Sequence, residues 1–386
     1  MLKKNRSKAA AVAVTTFGLC LGAVAPALAD VQPSANDVVA AGSDTTMYAA
    51  NFLFDGVPGG GGGYNAGKKN RVFSFDAVGD ANGRTSYENN ATGAAAFAAT
   101  AVLRQQTKPV IRPNGSGNGI KALYQAPYIS PGPVVNVARS SRLPQCAENT
   151  ADVNAGFGGL HVYQMGTEPL TMAKLATGSH VPDGLTADQV LKIYTGAYTK
   201  WGDIPGYSGS FGTDTIDALI PQSGSGTRGV FDDSMKAANG GTAPTYKAGL
   251  EVVQENDFNS LQIATDPANA LVVFSNARIT LNDTGYFGGT GATAAAGKVV
   301  PMTGAAPGGG TVYGTTRPVF FVINENSLSV GTKFQPGGTK NWAQELFSGP
   351  GNVLASPIYA SNISAAGFTP SYSDLGAPGQ QGVNCT

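Results

Sequence analysis

The 386-residue sequence predicts an α/β fold, and three observations carry that expectation. Short apolar segments alternate with stretches of helical spacing. Polar Gly/Ser/Thr turns join strand to helix at three places. Gly contributes 53 residues, well above the usual share of about 7%, while only 13% of the chain is charged. Alternation of this kind favours a mostly parallel sheet. The composition excludes a coiled coil, and 42% hydrophobic residues suffice for real cores, with a length that suggests two globular units. Lys and Arg number 25 against 25 Asp and Glu, so no charge bias points to nucleic acid or an anionic membrane.

The elements follow in chain order. Lys3, Lys4, Arg6 and Lys8 precede an apolar run from Ala9 to Ala25, and Ala27-Leu28-Ala29 places small residues where a signal peptidase reads. This predicts a signal peptide over 1–29, cleaved after Ala29, and a mildly acidic mature chain that is secreted, periplasmic or held at the cell surface. Leu19 before Cys20 is too large for a typical lipobox. Val38 to Ala40 reads as a strand, Gly42 to Thr46 as a polar turn, and Met47 to Phe54 as a helix. Gly59 to Gly63 reads as a flexible surface loop. Gly93 to Leu103 is an Ala-rich helix candidate, and Pro113 to Gly119 is a second polar turn leading into a helix over Ile120 to Tyr124.

Pro133 to Ala138 reads as a short buried strand running into Arg139, Ser140, Ser141 and Arg142. Leu185 to Tyr194 is an amphipathic helix with Thr186 as N-cap and Gln189 closing a capping box. Ile216 to Ile220 is a strand, followed by the turn Gln222 to Arg228 and a helix over Gly229 to Ala237. Ala270 to Phe274 and Arg317 to Ile323 are further strands, and Thr339 to Phe347 is a helix.

A turn that opens a helix with free N–H groups and hydroxyls can hold an oxyanion, because the N–H groups point outward and the helix dipole favours negative charge. Each such turn alone also serves as a plain helix cap. Three in one chain, with Arg228 beside the last and Arg139 and Arg142 at the end of a buried strand, point to anion binding.

Other chemistries fit less well. Gly62 to Lys68 matches G-x-x-x-x-G-K, but Lys69 stands where a P-loop carries Ser or Thr. Neither Ser116 nor Ser225 lies in G-x-S-x-G, and no pattern places His161 or His180 near a nucleophile. With two histidines and no ligand spacing, no metal site or cofactor is expected. Cys146 and Cys385 form an even pair in an oxidising compartment, where a disulfide is the simplest fate.

These residues resemble the phosphate-binding proteins of ABC importers, within the type II periplasmic-binding-protein fold. Leu185 to Gly196, followed by Thr199-Lys200-Trp201-Gly202-Asp203-Ile204, is similar to the family's LT-x-x-Q-x-x-x-I-[YF]-x-G…KW-x-D segment. Gly42 to Thr46, Gly115 to Lys121 and Gly224 to Arg228 are similar to its three anion-binding turns, in the family's order. The resemblance implies two α/β lobes with a ligand cleft between them, crossed near Val162 to Thr171 and Val312 to Phe321. Lobe one would hold 37–164 plus 316–386, and lobe two 165–315.

The resemblance places ligand contacts on Thr45, Thr46, Ser116, Ser225, Gly226 and Thr227, with Arg228 as the arginine and Arg139 close by. It implies a monomeric, non-enzymatic carrier that delivers phosphate or a similar oxyanion to a membrane permease. One position departs: the family's proton-accepting Asp is Ser141 here. Either Asp44 takes that role, or the site prefers another oxyanion. Two other classes remain open: a surface adhesion protein that kept the fold but not the ligand, and a secreted phosphate-ester hydrolase.

Overall fold

The structure, a computed structural model, describes residues 33–77, 100–107, 110–125, 128–129, 132–287, 298–329 and 340–377. The expected signal peptide lies outside the described residues, as does Cys385. The strands are β1 (Val38–Gly42), β2 (Val72–Ser74), β3 (Thr100–Ala101), β4 (Val110–Ile111), β5 (Tyr128–Ile129), β6 (Gly132–Pro133), β7 (Val137–Ser140), β8 (Leu160–Leu175), β9 (Asp217–Pro221), β10 (Glu251–Val253), β11 (Ala270–Ser275), β12 (Val299–Pro301), β13 (Gly314–Asn324) and β14 (Thr369–Gly376). The helices are α1 (Met47–Asp55), α2 (Ser116–Gln125), α3 (Cys146–Asn154), α4 (Ala187–Thr195), α5 (Gly226–Ala238), α6 (Asn276–Asp283), α7 (Trp342–Leu346) and α8 (Pro357–Ala365).

Ten strands form one sheet in the order β10-β9-β11-β8-β13-β7-β1-β2, with β12 and β14 also paired to β8. Its two ends are parallel, through β9–β10, β9–β11, β1–β2 and β1–β7. The middle is antiparallel, which corrects the expectation of a mostly parallel sheet. The cause is the pair of long strands β8 and β13, which run in opposite directions and pair from Gly314↔Thr171 to Asn324↔Leu160. Every strand that docks on β8 is antiparallel to it. These two strands join two ends that each have their own core.

Alternation along each strand divides the apolar residues between the two faces. At one end, Val38, Ala40, Phe321 and Ile323 face a cluster with Phe54, Trp342 and Phe347, while Val39, Ala41, Phe320 and Val322 face Ile120, Leu123 and Val135. At the other end, Ala218, Ile220, Leu271 and Val273 pack with Val190, Ile193, Trp201 and Phe231, and Leu219, Val272 and Phe274 pack on the opposite face. The two-lobed α/β class follows from this arrangement. Each end is roofed on both faces, which is how a sheet with buried parallel strands avoids exposing apolar surface.

Several elements differ from the sequence reading. Thr100–Ala101, placed near the end of an Ala-rich helix over Gly93 to Leu103, form a strand paired with Val110–Ile111; residues 93–99 lie outside the described residues. α5 begins at Gly226 rather than Gly229, because Ser225 is its N-cap and its Oγ accepts the N–H of Arg228 at 3.0 Å. α7 is shorter than expected, with Asn341 as its cap. Within the glycine run, Gly62 bridges back to Gly56, so the loop is tied to the end of α1.

Candidate functional site

The most specific segment of the sequence is architectural. Thr186 Oγ1 accepts the N–H of Gln189 at 3.2 Å, and Gln189 Oε1 accepts the N–H of Thr186 at 2.9 Å. Gly196 ends α4 with a φ of 84°. Trp201 is fully buried and donates its indole N–H to Asn269 at 2.7 Å, while Asp203 takes the N–H groups of Thr199 and Lys200, each at 2.8 Å. These bonds fix α4 and the following turn against β9 and β11 without reaching the cleft.

The three Gly/Ser/Thr turns do meet. Thr45 Oγ1 and Thr227 Oγ1 lie 3.1 Å apart, and Ser116 Oγ and Ser141 Oγ 3.3 Å apart. Ser43 Oγ donates to Ser141 Oγ at 3.2 Å, and Ser116 Oγ accepts the N–H of Ser141 at 2.9 Å. The backbones also touch: Gly117 N–H donates to Gly224 O at 3.1 Å. Such an approach requires glycine at two positions. At Gly115, φ is 82° and a Cβ would lie 2.5 Å from Gly224 O; at Gly226, a Cβ would lie 2.2 Å from both Ser116 Oγ and Ser141 Oγ.

The remaining sequence-predicted residues are spread around this cluster. Thr46 is buried, makes no cap bond, and its Oγ1 has no hydrogen-bond partner among the described residues. Arg139 is fully buried, donating from Nε to Ser43 O at 3.3 Å and from Nη1 to Ser74 Oγ at 2.5 Å; its Nη2 has no partner among the described residues. Burial pulls the Arg139 guanidinium down to about 10. Asp44 is ion-paired to Arg278 at 2.9 Å, and burial pushes its carboxyl up to about 6 despite that partner.

The cluster does not include Arg228. Its guanidinium turns back to Pro221 O at 3.0 Å and Asp232 at 3.3 Å, because the helix that carries it directs position N3 away from the neighbouring turns. Cys146 is disulfide-bonded, and its expected partner, Cys385, lies outside the described residues.

Four residues outside the sequence-predicted set complete the cluster. Arg317 of β13 donates from Nη2 to Thr227 Oγ1 at 3.0 Å and to Thr45 Oγ1 at 3.4 Å. Its cross-strand neighbour Glu168 of β8 holds it through Nε at 2.9 Å and Nη2 at 2.6 Å. Nη1 is buried with no partner among the described residues. Asn256 donates to Thr45 Oγ1 at 2.9 Å. Glu255, 1% exposed, accepts the hydroxyl of Ser225, the N–H of Thr227 at 3.3 Å and the N–H of Asp44 at 3.3 Å. A signal for Arg317 was available: it opens an apolar strand, as Arg139 closes one. Glu255 and Asn256 sit in a polar loop with no local pattern.

Beside the cluster, a cavity of about 480 Å³ lies between the two ends of the molecule, lined by Ser141, Arg142, Val230, Asp232, Arg317 and Phe320. Ser141 and Arg317 belong to both the cavity wall and the cluster, in which the hydroxyls of Thr45, Ser116, Ser141 and Thr227 gather with the Arg317 guanidinium. Short polar donors and a planar fork of this kind can each meet one oxygen of a small oxyanion. Among the described residues no group of three or more His, Cys, Asp or Glu could hold a metal ion. No described helix is long and apolar enough to cross a membrane.

Comparison with known proteins gives related results. Among solved structures, an ABC-type phosphate transport receptor from Vibrio cholerae is 14% identical, covering 87% of this chain and 100% of its own, with a TM-score of 0.48. PstS from Borrelia burgdorferi is 13% identical over 87% of this chain and 98% of its own, with a TM-score of 0.40. A phosphate-binding protein from Stenotrophomonas maltophilia is 13% identical over 75% of this chain and 79% of its own, with a TM-score of 0.41. No curated protein matches the chain. The family model described as a PBP superfamily domain matches residues 81–350, most of the sequence, and the chain belongs to that superfamily.

Proposed function

We propose that this protein captures phosphate, or a closely related oxyanion, between its two lobes and delivers it to the permease of an ABC importer. The observation that carries this reading is the meeting of the three helix-opening turns, with Arg317 bonded to the first and third and its Nη1 buried without a partner among the described residues. Leaving such a donor unmet costs about 1–3 kcal/mol, more when it is charged, and an anion at the cluster would satisfy it. Thr45, Ser116, Ser141, Ser225, Gly226 and Thr227 supply the remaining contacts. In this assignment Arg317, and not Arg228, is the arginine that meets the ligand.

The lobes are 37–164 with 316–386 and 165–315, hinged on β8 and β13. Ligand favours closure because it gains its full set of bonds only when the turns face one another. The protein acts as a secreted or surface-held monomer after removal of a signal peptide at Ala29, with no turnover of its ligand. Calorimetric titration of the mature chain, stripped of anion, with phosphate and then sulfate tests the reading. Phosphate binding at micromolar or tighter affinity is the expected result; silence toward both anions would remove it in favour of an adhesion protein on the same fold. Release of phosphate from simple esters would instead favour the hydrolase.

A further inference from the structure

The loop after β10 makes an unusual set of contacts. Three consecutive residues each reach the opposite lobe: Gln254 accepts from Asn114 Nδ2 at 2.8 Å, Glu255 accepts the N–H of Asp44 at 3.3 Å, and Asn256 donates to Thr45 Oγ1 at 2.9 Å. Asn256 holds a φ of 56°, a conformation that Asn tolerates better than most residues. Glu255 is anchored at its own N–H by Gln222 Oε1 at 2.7 Å. The result is a buried carboxylate seated on the opening of α5, on the Ser225 hydroxyl and the Thr227 N–H.

Those two groups are the donors that the anion-binding turn offers. A carboxylate and an oxyanion compete for them for the same reasons: both are acceptors, both gain from the helix dipole, and both form charge-assisted bonds. Two ionised acceptors cannot share one pair of donors at contact distance without mutual repulsion. Asp44 differs, because Arg278 neutralises it. No Lys or Arg among the described residues forms an ion pair with Glu255; the groups bonded to its carboxylate are the Ser225 hydroxyl and the N–H groups of Thr227 and Asp44.

Resting on the functional reading above, we infer that Glu255 is the affinity-determining residue of the site, an internal anion that occupies the ligand's donors and must be displaced. Binding is then an exchange: the oxyanion takes Ser225 Oγ and Thr227 N–H as Glu255 leaves them. With the Glu255 carboxylate on these donors, the two lobes meet through the Thr45–Thr227 and Gly117–Gly224 contacts.

The test is calorimetric titration of the mature wild-type, Glu255→Gln and Glu255→Ala proteins with phosphate and sulfate, with thermal unfolding to establish that each variant is folded. Loss of the charge should tighten both anions by the same factor, roughly tenfold or more. Tighter binding of both phosphate and sulfate by both variants than by wild type would support the inference most directly. Unchanged phosphate constants in both variants would overturn it while leaving the functional reading intact. Weaker phosphate with newly acquired sulfate binding would also overturn it, because the carboxylate would then be a partner of the ligand's proton and not its competitor. Silence of all three proteins toward both anions would remove this inference and the functional reading together.

Discussion

Two buried arginine–carboxylate pairs flank the hydroxyl cluster, and they are built for different purposes. Arg317 and Glu168 face each other across β13 and β8, 2% and 0% exposed, with both Glu168 oxygens engaged: one by Arg317, the other by the Ser275 hydroxyl and the Ala277 N–H. The carboxylate is saturated while the guanidinium is not: Nη2 also reaches the Thr45 and Thr227 hydroxyls, and Nη1 has no partner among the described residues. Arg278 and Asp44 instead join α6 to the first turn, with Arg278 lying 4.4 Å over the ring of Tyr48 and bonding both the Asp44 side chain and its backbone carbonyl. That pair acts as a clasp. The strand pair aims a charge, whereas the helix pair consumes one.

Breaking the strand pair should have the largest effect. Arg317→Met leaves Glu168 buried without its cation, which costs about 3–5 kcal/mol, so the melting temperature should fall steeply and phosphate titration should be silent. Arg317→Lys sharpens the comparison, since it keeps the charge but not the planar fork. It should remain folded, with phosphate binding strongly weakened. Phosphate affinity equal to wild type in Arg317→Lys would mean that Nη1 is not a ligand contact.

The clasp should show itself through pH. The Asp44 carboxyl is raised from 3.8 to about 6, chiefly by burial, so the folded state holds its proton more tightly than the unfolded state. Its contribution to stability is fully present below about pH 4 and is lost as pH rises through about 6. A shift of that size corresponds to something on the order of 3 kcal/mol. Asp152, also raised to about 6 by burial, contributes in the same direction. Asp44→Asn should therefore flatten part of the decline in melting temperature between pH 4 and 6, leaving the Asp152 share. An unaltered pH profile in Asp44→Asn would show that the Arg278 partnership cancels the cost of burying the carboxylate.

The same contrast explains what could be read from the sequence. The turns were legible because their chemistry is local: Gly42 to Thr46, Gly115 to Asn118 and Gly224 to Thr227 each carry their own composition and open their own helix. α4 was legible to its caps for the same reason. Arg317, Glu168 and Glu255 were not, because each acquires its partner through strand register or lobe apposition, from residues 149, 90 or 211 positions away. The antiparallel middle of the sheet was hidden too, since no local pattern states that β8 and β13 run against each other. Arg228 misled for the opposite reason: adjacency in sequence to a binding turn says nothing about the direction in which a helix points its third side chain.

Between the two pairs, the seam of the turns sets the next scale of effect. Gly226→Ala would drive a methyl group into Ser116 Oγ and Ser141 Oγ, each 2.2 Å away, and backbone spacing would have to give. The helix itself loses nothing, because Ala is a better helix former than Gly. Phosphate affinity should therefore fall by about tenfold or more, and the melting temperature should fall too, because overpacking the buried seam costs about 1–3 kcal/mol. A variant that binds as well as wild type would show that the turns need not approach this closely when ligand is present.

The smallest effect should come from the arginine that the sequence favoured. Arg228 is partly exposed, pairs with Asp232 four residues along α5 at 3.3 Å, and lies 5.9 Å from the centre of the Tyr246 ring. An ion pair of this kind is screened by solvent and is worth less than about 1 kcal/mol. Arg228→Ala should lower the melting temperature slightly and leave the phosphate dissociation constant unchanged. Set beside Arg317→Lys, it separates two accounts of the site. If charge next to the turn is what matters, Arg228→Ala should be the damaging substitution; if a fork held by a saturated carboxylate on the crossing strands is what matters, the damage should fall on Arg317. The geometry favours the second, because among the described residues only Arg317 reaches hydroxyls of both the first and third turns from a single guanidinium nitrogen.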